Sequence, residues 1–319
     1  MNDSDMRQWQ NILILGAGEL GMAMLAGFIR QRQQHPALRL SVLLRPASLT
    51  NPHPASQARL KQFAEWGVTV ITADFARQTT AELSHCFAPF DAIINCSGFV
   101  GGAGTQLKIT RAVLDAGVAR YFPWQFGVDY DQIGKGSGQP VWDEQLAVRE
   151  ILRAQQQTQW VIVSTGMFTS YLFEPSFGIV DWQQQRIYAP GAADYALTLT
   201  TPEDIGQLTA QIFCHQPAFN NAVVYIAGDT LTYRQLTRVL SEHYGVPFTL
   251  QVLSHQSLQQ TAAATPGDLA AAYRLAFARA EGVAWEKADS FNARHGIEVT
   301  DVAQWLTDNR PSLNGPIAL

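Results

Sequence analysis

Residues 11–25 read NILILGAGELGMAML, and this stretch decides the fold. An apolar run at 12–15 breaks into Gly16-Ala17-Gly18-Glu19-Leu20-Gly21, and apolar residues then resume at helical spacing, which predicts strand, glycine turn and helix. In such a unit the first glycine permits the tight turn and the second lets backbone approach a pyrophosphate. The third lets the helix pack closely on the strand, with phosphate at the helix's positive N-terminus. Gly16, Gly18, Glu19, Leu20 and Gly21 are therefore the expected dinucleotide cradle.

A second apolar run, 38–44, ends in Arg45. A fold that prefers NAD places Asp or Glu roughly 20 residues past the glycines, where it accepts a hydrogen bond from the ribose 2'-hydroxyl; a guanidinium suits a 2'-phosphate instead. No carboxylate occurs between Glu19 and Glu65, so the expected cofactor is NADP(H) and the expected selector is Arg45. Arg30, Arg32 and Arg39 lie nearby and could supply the same charge.

The alternation continues with a helical stretch at 55–66, strands at 68–71 and 91–96, a helix at 105–116, a strand at 119–122, a helix at 143–153 and a strand at 160–163. Strands alternating with helices of this length imply right-handed crossovers and a parallel sheet covered on both faces. The expected fold class is α/β, a Rossmann-type doubly wound parallel sheet with a smaller α+β substrate lobe. The expected domains are 1–165 and 166–319, although residues 223–227 may return to the sheet. Capping-box patterns at Thr201 to Asp204 and Thr232 to Gln235 predict two helix starts in the second lobe. The run Gly134 to Gly138 reads as a surface loop.

In an open parallel sheet the ligand lies outside the carboxyl ends of the strands. That rule adds Ser97, Gly98 and Phe99, Gly166 and Phe168 as cofactor candidates, and Trp124, Gln125 and Phe126 as substrate-pocket candidates. The glycines at 101, 102 and 104 form either a second turn beside the cofactor or a plain loop. Trp124, Phe126, Phe168, Tyr171, Phe173 and Phe177 suit a flat apolar ligand, or pack as core.

Composition narrows the class. The chain has 319 residues, 47% hydrophobic and 15% charged, enough for a large core. With 22 basic against 27 acidic residues and no basic block, direct binding to nucleic acid is not expected. The polar start MNDSDMRQWQ lacks a signal-peptide order and no apolar run reaches membrane-spanning length, so a cytoplasmic protein is expected. Cys86, Cys96 and Cys214 have no metal spacing and read as reduced thiols, and the seven histidines form no metal pattern, so no metal site is expected. None of the four lysines follows a tyrosine by four residues, so the Tyr-x-x-x-Lys helix of common short-chain dehydrogenases is absent.

The combination GAGELG, VLLR, FDAIINCSGF and TQLKITRAVLDAGVARYFPWQFGVDYD resembles the NmrA-like family, including the isoflavone and phenylcoumaran benzylic ether reductases. The likeness runs over nearly the whole chain and is most specific in AGVARYFPWQFGVDYD. It implies an atypical short-chain dehydrogenase fold, NADPH as cofactor, and cofactor contacts at Gly16, Gly18, Gly21, Arg45 and Phe168, with Gln106 as a further candidate. It also implies a departure. The reductases carry a lysine in the helix after the Phe-Gly segment and an acidic residue in the strand-five segment; here these positions hold Gln145 and Gln125. An amide can orient a substrate oxygen but cannot deliver a proton as an ammonium can.

Two functions follow from these residues. One is an NADPH-dependent reductase of a small aromatic substrate, with Gln145 bonding the substrate oxygen and Tyr171 or water as the proton source. The other is a non-enzymatic NADP(H) sensor acting through a protein partner.

Overall fold

The computed structural model describes residues 9–311, so the first eight residues of the polar N-terminal segment lie outside the described residues. The chain divides into two compact units. One comprises Met1–Gln125, Glu144–Val163 and Ile205–Val224, the other Phe126–Asp143, Ser164–Asp204 and Tyr225–Leu319. The strands are β1 (Asn11–Leu15), β2 (Arg39–Leu44), β3 (Thr69–Thr72), β4 (Ala92–Asn95), β5 (Arg120–Phe122), β6 (Gln159–Ser164), β7 (Met167–Phe168), β8 (Val180–Asp181), β9 (Arg186–Pro190), β10 (Ala196–Thr200), β11 (Ala222–Tyr225), β12 (Asp229–Thr232) and β13 (Thr249–Leu253). The longer helices of the first unit are α1 (Glu19–Gln31), α2 (Pro54–Glu65), α3 (Thr80–Phe87), α4 (Thr105–Asp115), α5 (Pro140–Arg153, which starts in the second unit) and α6 (Pro202–Cys214, likewise).

A seven-stranded sheet runs in the order β11-β6-β5-β4-β1-β2-β3. The pairings from β3 through β6 are parallel. The order reverses between β1 and β4, which makes their carboxyl ends the switch point where ligands of such sheets bind. Ile12, Leu13, Ile14 and Leu15 are fully buried, which is why β1 reads as a continuous apolar run rather than an alternating one. Residues 222–225 do return to this sheet as its edge strand.

Two contacts tie the late segment 205–224 into the first unit. Helix α1 meets α6 at glycine: a Cβ on Gly27 would lie 2.3 Å from the Gly206 carbonyl oxygen, and one on Gly206 would lie 2.3 Å from that of Ala23. The second contact is the buried Arg120 guanidinium, which lies 4.1 Å from the Trp9 ring and 5.4 Å from the Phe213 ring, while Nη1 donates to Asn220 Oδ1 at 3.1 Å. Burial lowers its pKa to about 10, so it stays cationic at neutral pH, where the aromatic faces attract it.

The second unit carries two three-stranded sheets, β12-β10-β7 and β13-β9-β8. Thr232 and Gln235 form the expected capping box. At Thr201 the pattern is only half met: its hydroxyl oxygen accepts from Asp204 N at 3.1 Å, but the Asp204 carboxylate accepts from the Thr201 hydroxyl and from Thr300 N instead of the cap backbone. Helix α5 starts three residues earlier than expected, at Pro140, since proline is tolerated in a first helical turn. The glycine-dense stretch before it is a tethered loop: buried Ser137 bonds Asp143 Oδ1 and Gln139 O at 2.9 Å, and Arg279 Nη2 donates to Ser137 O at 2.9 Å. Among the described residues, no helix is long and apolar enough to cross a membrane.

Gly206→Val should lower stability by about 3 kcal/mol or prevent folding, because the new side chain meets backbone that cannot rotate away. Urea denaturation followed by circular dichroism checks this; a midpoint equal to the parent's would mean that α1 and α6 can separate at little cost.

Candidate cofactor and substrate site

The three glycines of the turn divide their work by geometry. Gly16 has φ +89°, and a Cβ there would come within 3.2 Å of the Cys96 carbonyl oxygen and of Ser97 Cα, so the turn requires glycine on both counts. At Gly21 a Cβ would lie 2.2 Å from the Gly16 carbonyl oxygen, which shows how closely α1 sits on the end of β1. At Gly18 a Cβ would meet nothing within 4 Å. This second glycine faces open space at the N-cap of α1, which has no side-chain cap. Helix α3 differs: Thr79 caps it. Amides at an uncapped helix start beside an open glycine fit a pyrophosphate.

Arg45 is exposed and directly follows β2, at the same sheet end as the glycine turn. The alternatives are placed elsewhere. Arg39 begins β2 and Arg30 closes α1, each a full element length away, roughly 17 to 20 Å. Arg32 is engaged structurally, donating to the carbonyls of Leu38 at 3.1 Å, Trp66 at 2.6 Å and Gly67 at 3.4 Å.

At the end of β4 the loop 97–99 rests on a buried polar network. Asn95 Oδ1 accepts from Ser97 N at 3.0 Å and Ser97 Oγ at 2.7 Å, while Asn95 Nδ2 donates to Gln106 Oε1 at 2.8 Å. Gln106 Nε2 in turn donates to Gly98 O at 2.6 Å and Ser97 Oγ at 3.2 Å. Both side-chain N–H groups of Gln106 thus hold the loop. Phe99 stands exposed at the tip. Beyond the turn 101–104, the Glu144 carboxylate accepts from Gly104 N and Gln106 N, each at 2.8 Å, and so caps the start of α4. That role was invisible in the sequence: the partners lie 40 and 38 positions apart, with no local pattern linking them.

Gln125 and Gln145 come together, and Trp124, the residue before Gln125, is half-buried. Gln125 Nε2 donates to the Gln145 carbonyl oxygen at 2.7 Å and to Gln145 Oε1 at 3.2 Å, and Gln125 Oε1 accepts from Arg149 Nε at 2.8 Å. All three residues are buried, and Gln145 Nε2 has no hydrogen-bond partner among the described residues. Gln145 and Arg149 are four apart on α5 and share its face, the signal by which Arg149 could have been found.

The remaining candidates belong to the second unit. Gly166, at φ +72°, is required by packing, since a Cβ would lie 2.0 Å from the Thr198 carbonyl oxygen. Phe126, Phe173 and Phe177 are buried core, Phe173 stacking on Trp305 at 4.7 Å, whereas Phe168 and Tyr171 are half-buried. Tyr171 stacks on Phe177 at 4.6 Å, and burial raises the pKa of its phenol, which keeps it protonated at neutral pH. Burial likewise raises the Cys214 thiol to about 12 and leaves it unreactive. The Asp129 of the motif GVDYD has a structural role: it caps the short helix at 130–133 and accepts from Tyr225 OH at 2.8 Å. Among the described residues, no three His, Cys, Asp or Glu side chains are grouped to hold a metal ion.

A doubly wound sheet with a glycine turn at its switch point defines a Rossmann-type α/β protein. The chain belongs to the NmrA-like family, whose model matches residues 8–306. An NmrA-like family domain-containing oxidoreductase of Gibberella moniliformis is 41% identical over 299 residues, 93% of this chain and 97% of that protein. A crystal structure of isoflavone reductase shares the fold with a TM-score of 0.76 at 19% identity, covering 94% of this chain and 99% of that one. An NADPH-dependent quinone oxidoreductase from Escherichia coli, complexed with NADPH, does so with a TM-score of 0.70 at 19% identity, covering 93% and 99%.

Glu144→Ala should cost about 1 to 2 kcal/mol by uncapping α4, since a carboxylate accepting from backbone amides at a helix start is worth that much. Denaturant titration reads the loss; a change of only a few tenths would mean that water replaces the carboxylate.

Proposed function

We propose that the protein is an NADPH-dependent reductase of a small aromatic substrate. The observation that carries the reading is the unpartnered, buried amide nitrogen of Gln145, in the same unit as the open glycine cradle. A buried donor without a partner costs on the order of 1 to 3 kcal/mol, a cost that a ligand oxygen would offset. The family's oxidoreductase and reductase members, and the NADPH held by the quinone oxidoreductase of the same fold, support the cofactor and the reaction class.

The chain's residues then divide the work. Gly16 and Gly21 set the turn, Gly18 leaves room for the pyrophosphate, and Arg45 receives the 2'-phosphate as a charge-assisted partner. Asn95 and Gln106 hold the Ser97-Gly98 loop in place. NADPH supplies a hydride when bound. Gln145 would donate to the substrate oxygen as negative charge builds on it, and the reaction needs one proton besides the hydride to complete the product. Trp124 keeps a partly exposed ring suited to an aromatic ligand.

Loss of the family lysine at position 145 favours a second reading, an NADP(H) sensor that signals through a protein partner. Assays of NADPH oxidation with aromatic aldehydes, ketones, quinones and benzylic ethers, each checked for product, separate the two: a sensor binds the cofactor and turns over nothing.

NADPH should bind at least about tenfold more tightly than NADH, and Arg45→Ala should erase most of that preference. Equal affinities in the parent protein would remove Arg45 as selector. Gly18→Val should leave the melting temperature unchanged and abolish NADPH binding, because its side chain enters space that is empty of protein. Tyr171→Phe should lower kcat by about tenfold or more if the phenol is the proton source, and leave it unchanged if water is.

A further inference from the structure

We infer that Arg149 is the positioning residue of this site: acting through Gln125, it locks the Gln145 amide with its nitrogen turned away from the pair, so that Gln145 receives a ligand through an acceptor oxygen. The inference rests on the reading of Gln145 as the group that meets substrate, and deepens it to a substrate class.

The lock follows from what each atom can do. A guanidinium only donates, so the Gln125 atom 2.8 Å from Arg149 Nε must be the amide oxygen. A backbone carbonyl only accepts, so the Gln125 atom 2.7 Å from the Gln145 carbonyl must be the amide nitrogen. These two anchors agree, and neither permits Gln125 to flip. The same nitrogen lies 3.2 Å from the Gln145 side chain, which must therefore turn its oxygen toward Gln125. Its nitrogen is left without a partner. A lone glutamine would present either end of its amide to a ligand; this one presents only donors.

The consequence is selectivity for an acceptor. A ketone, aldehyde or quinone oxygen takes a hydrogen bond from Gln145 in the ground state and a stronger one as charge builds on it. Because Gln145 Nε2 is fully buried, the ligand must displace a neighbouring group to reach it. In the family relatives an ammonium and a carboxylate are implied at 145 and 125. Two amides replace that charged pair here and keep a donor in the same place without carrying a charge.

The lock is tested first by stability, with no ligand present. Gln145→Met removes the unpartnered nitrogen while Gln125 keeps its shorter bond to the backbone, so the melting temperature should rise by about 2 °C. In a Gln125→Glu background the residue at 125 can only accept, Gln145 must turn its nitrogen inward, and the same Gln145→Met change should lower the melting temperature. Opposite signs in the two backgrounds support the lock; the same sign in both overturns it. Should Gln125→Glu fail to fold, the parent arm decides alone, and a melting temperature that stays or falls on Gln145→Met overturns the lock. The ligand class is tested with acetophenone and its hydrocarbon isostere α-methylstyrene, titrated onto the NADP+-loaded protein by ligand-observed NMR. Acetophenone should bind about tenfold more tightly, and Gln145→Met should remove the difference. Equal binding in the parent overturns the ligand assignment. Acetophenone that binds in this way, while no member of the panel of aromatic aldehydes, ketones, quinones and benzylic ethers consumes NADPH, leaves the lock and its ligand class standing and defeats the reductase reading alone.

Discussion

The approach of helix α1 to the end of β1 is the constraint on which the site depends. With the Gly16 carbonyl only 2.2 Å from where a Cβ of residue 21 would stand, no other residue can occupy position 21 without moving the helix. That contact brings the uncapped start of α1 against the switch point of the sheet, beside the loop that follows β4. Gly16 depends on the same region, since its own Cβ would press on Cys96 and Ser97. The cradle and the β4 loop are therefore one object. The network of Asn95, Gln106 and Ser97 keeps it in shape by using the side-chain donors of both amides internally, as buried polar groups require.

Around this fixed centre the structure treats its helix starts in opposite ways. Helix α4 is capped by the Glu144 carboxylate, which arrives from α5, and α3 by its own Thr79. Helix α1 is left uncapped at a glycine that faces open space. A carboxylate on the amides of α4 satisfies them and repels an anion, whereas no side chain caps the start of α1. The lysine inventory follows the same logic of structural engagement: Lys108 donates to the carbonyls of Phe75 and Gln78, and Lys61 pairs with Glu65 four residues along its helix.

The Arg149, Gln125 and Gln145 chain shows how neutral groups acquire direction. Each amide has a donor end and an acceptor end, and only a partner of fixed character selects between them. Arg149 and the helix backbone are such partners, and both are rigidly held by α5.

Much of this was legible in the sequence, and for definite reasons. The glycine spacing, the apolar runs of β1 and β2 and the missing carboxylate are local patterns, and local sterics turn them into strand, turn and helix whatever surrounds them. The placement of Arg45 directly after β2, at the sheet end that carries the glycine turn, also needed only strand counting. The glycine contact between α1 and α6, the capping of α4 by Glu144 and the anchoring of Ser137 by Arg279 were decided by tertiary structure, because each joins groups distant in the chain through packing that no short pattern encodes. So was the direction of the Gln145 amide. The sequence places a glutamine four residues before Arg149 on α5, but which end of its amide faces Gln125 is set by a guanidinium and a carbonyl whose positions exist only in the folded chain.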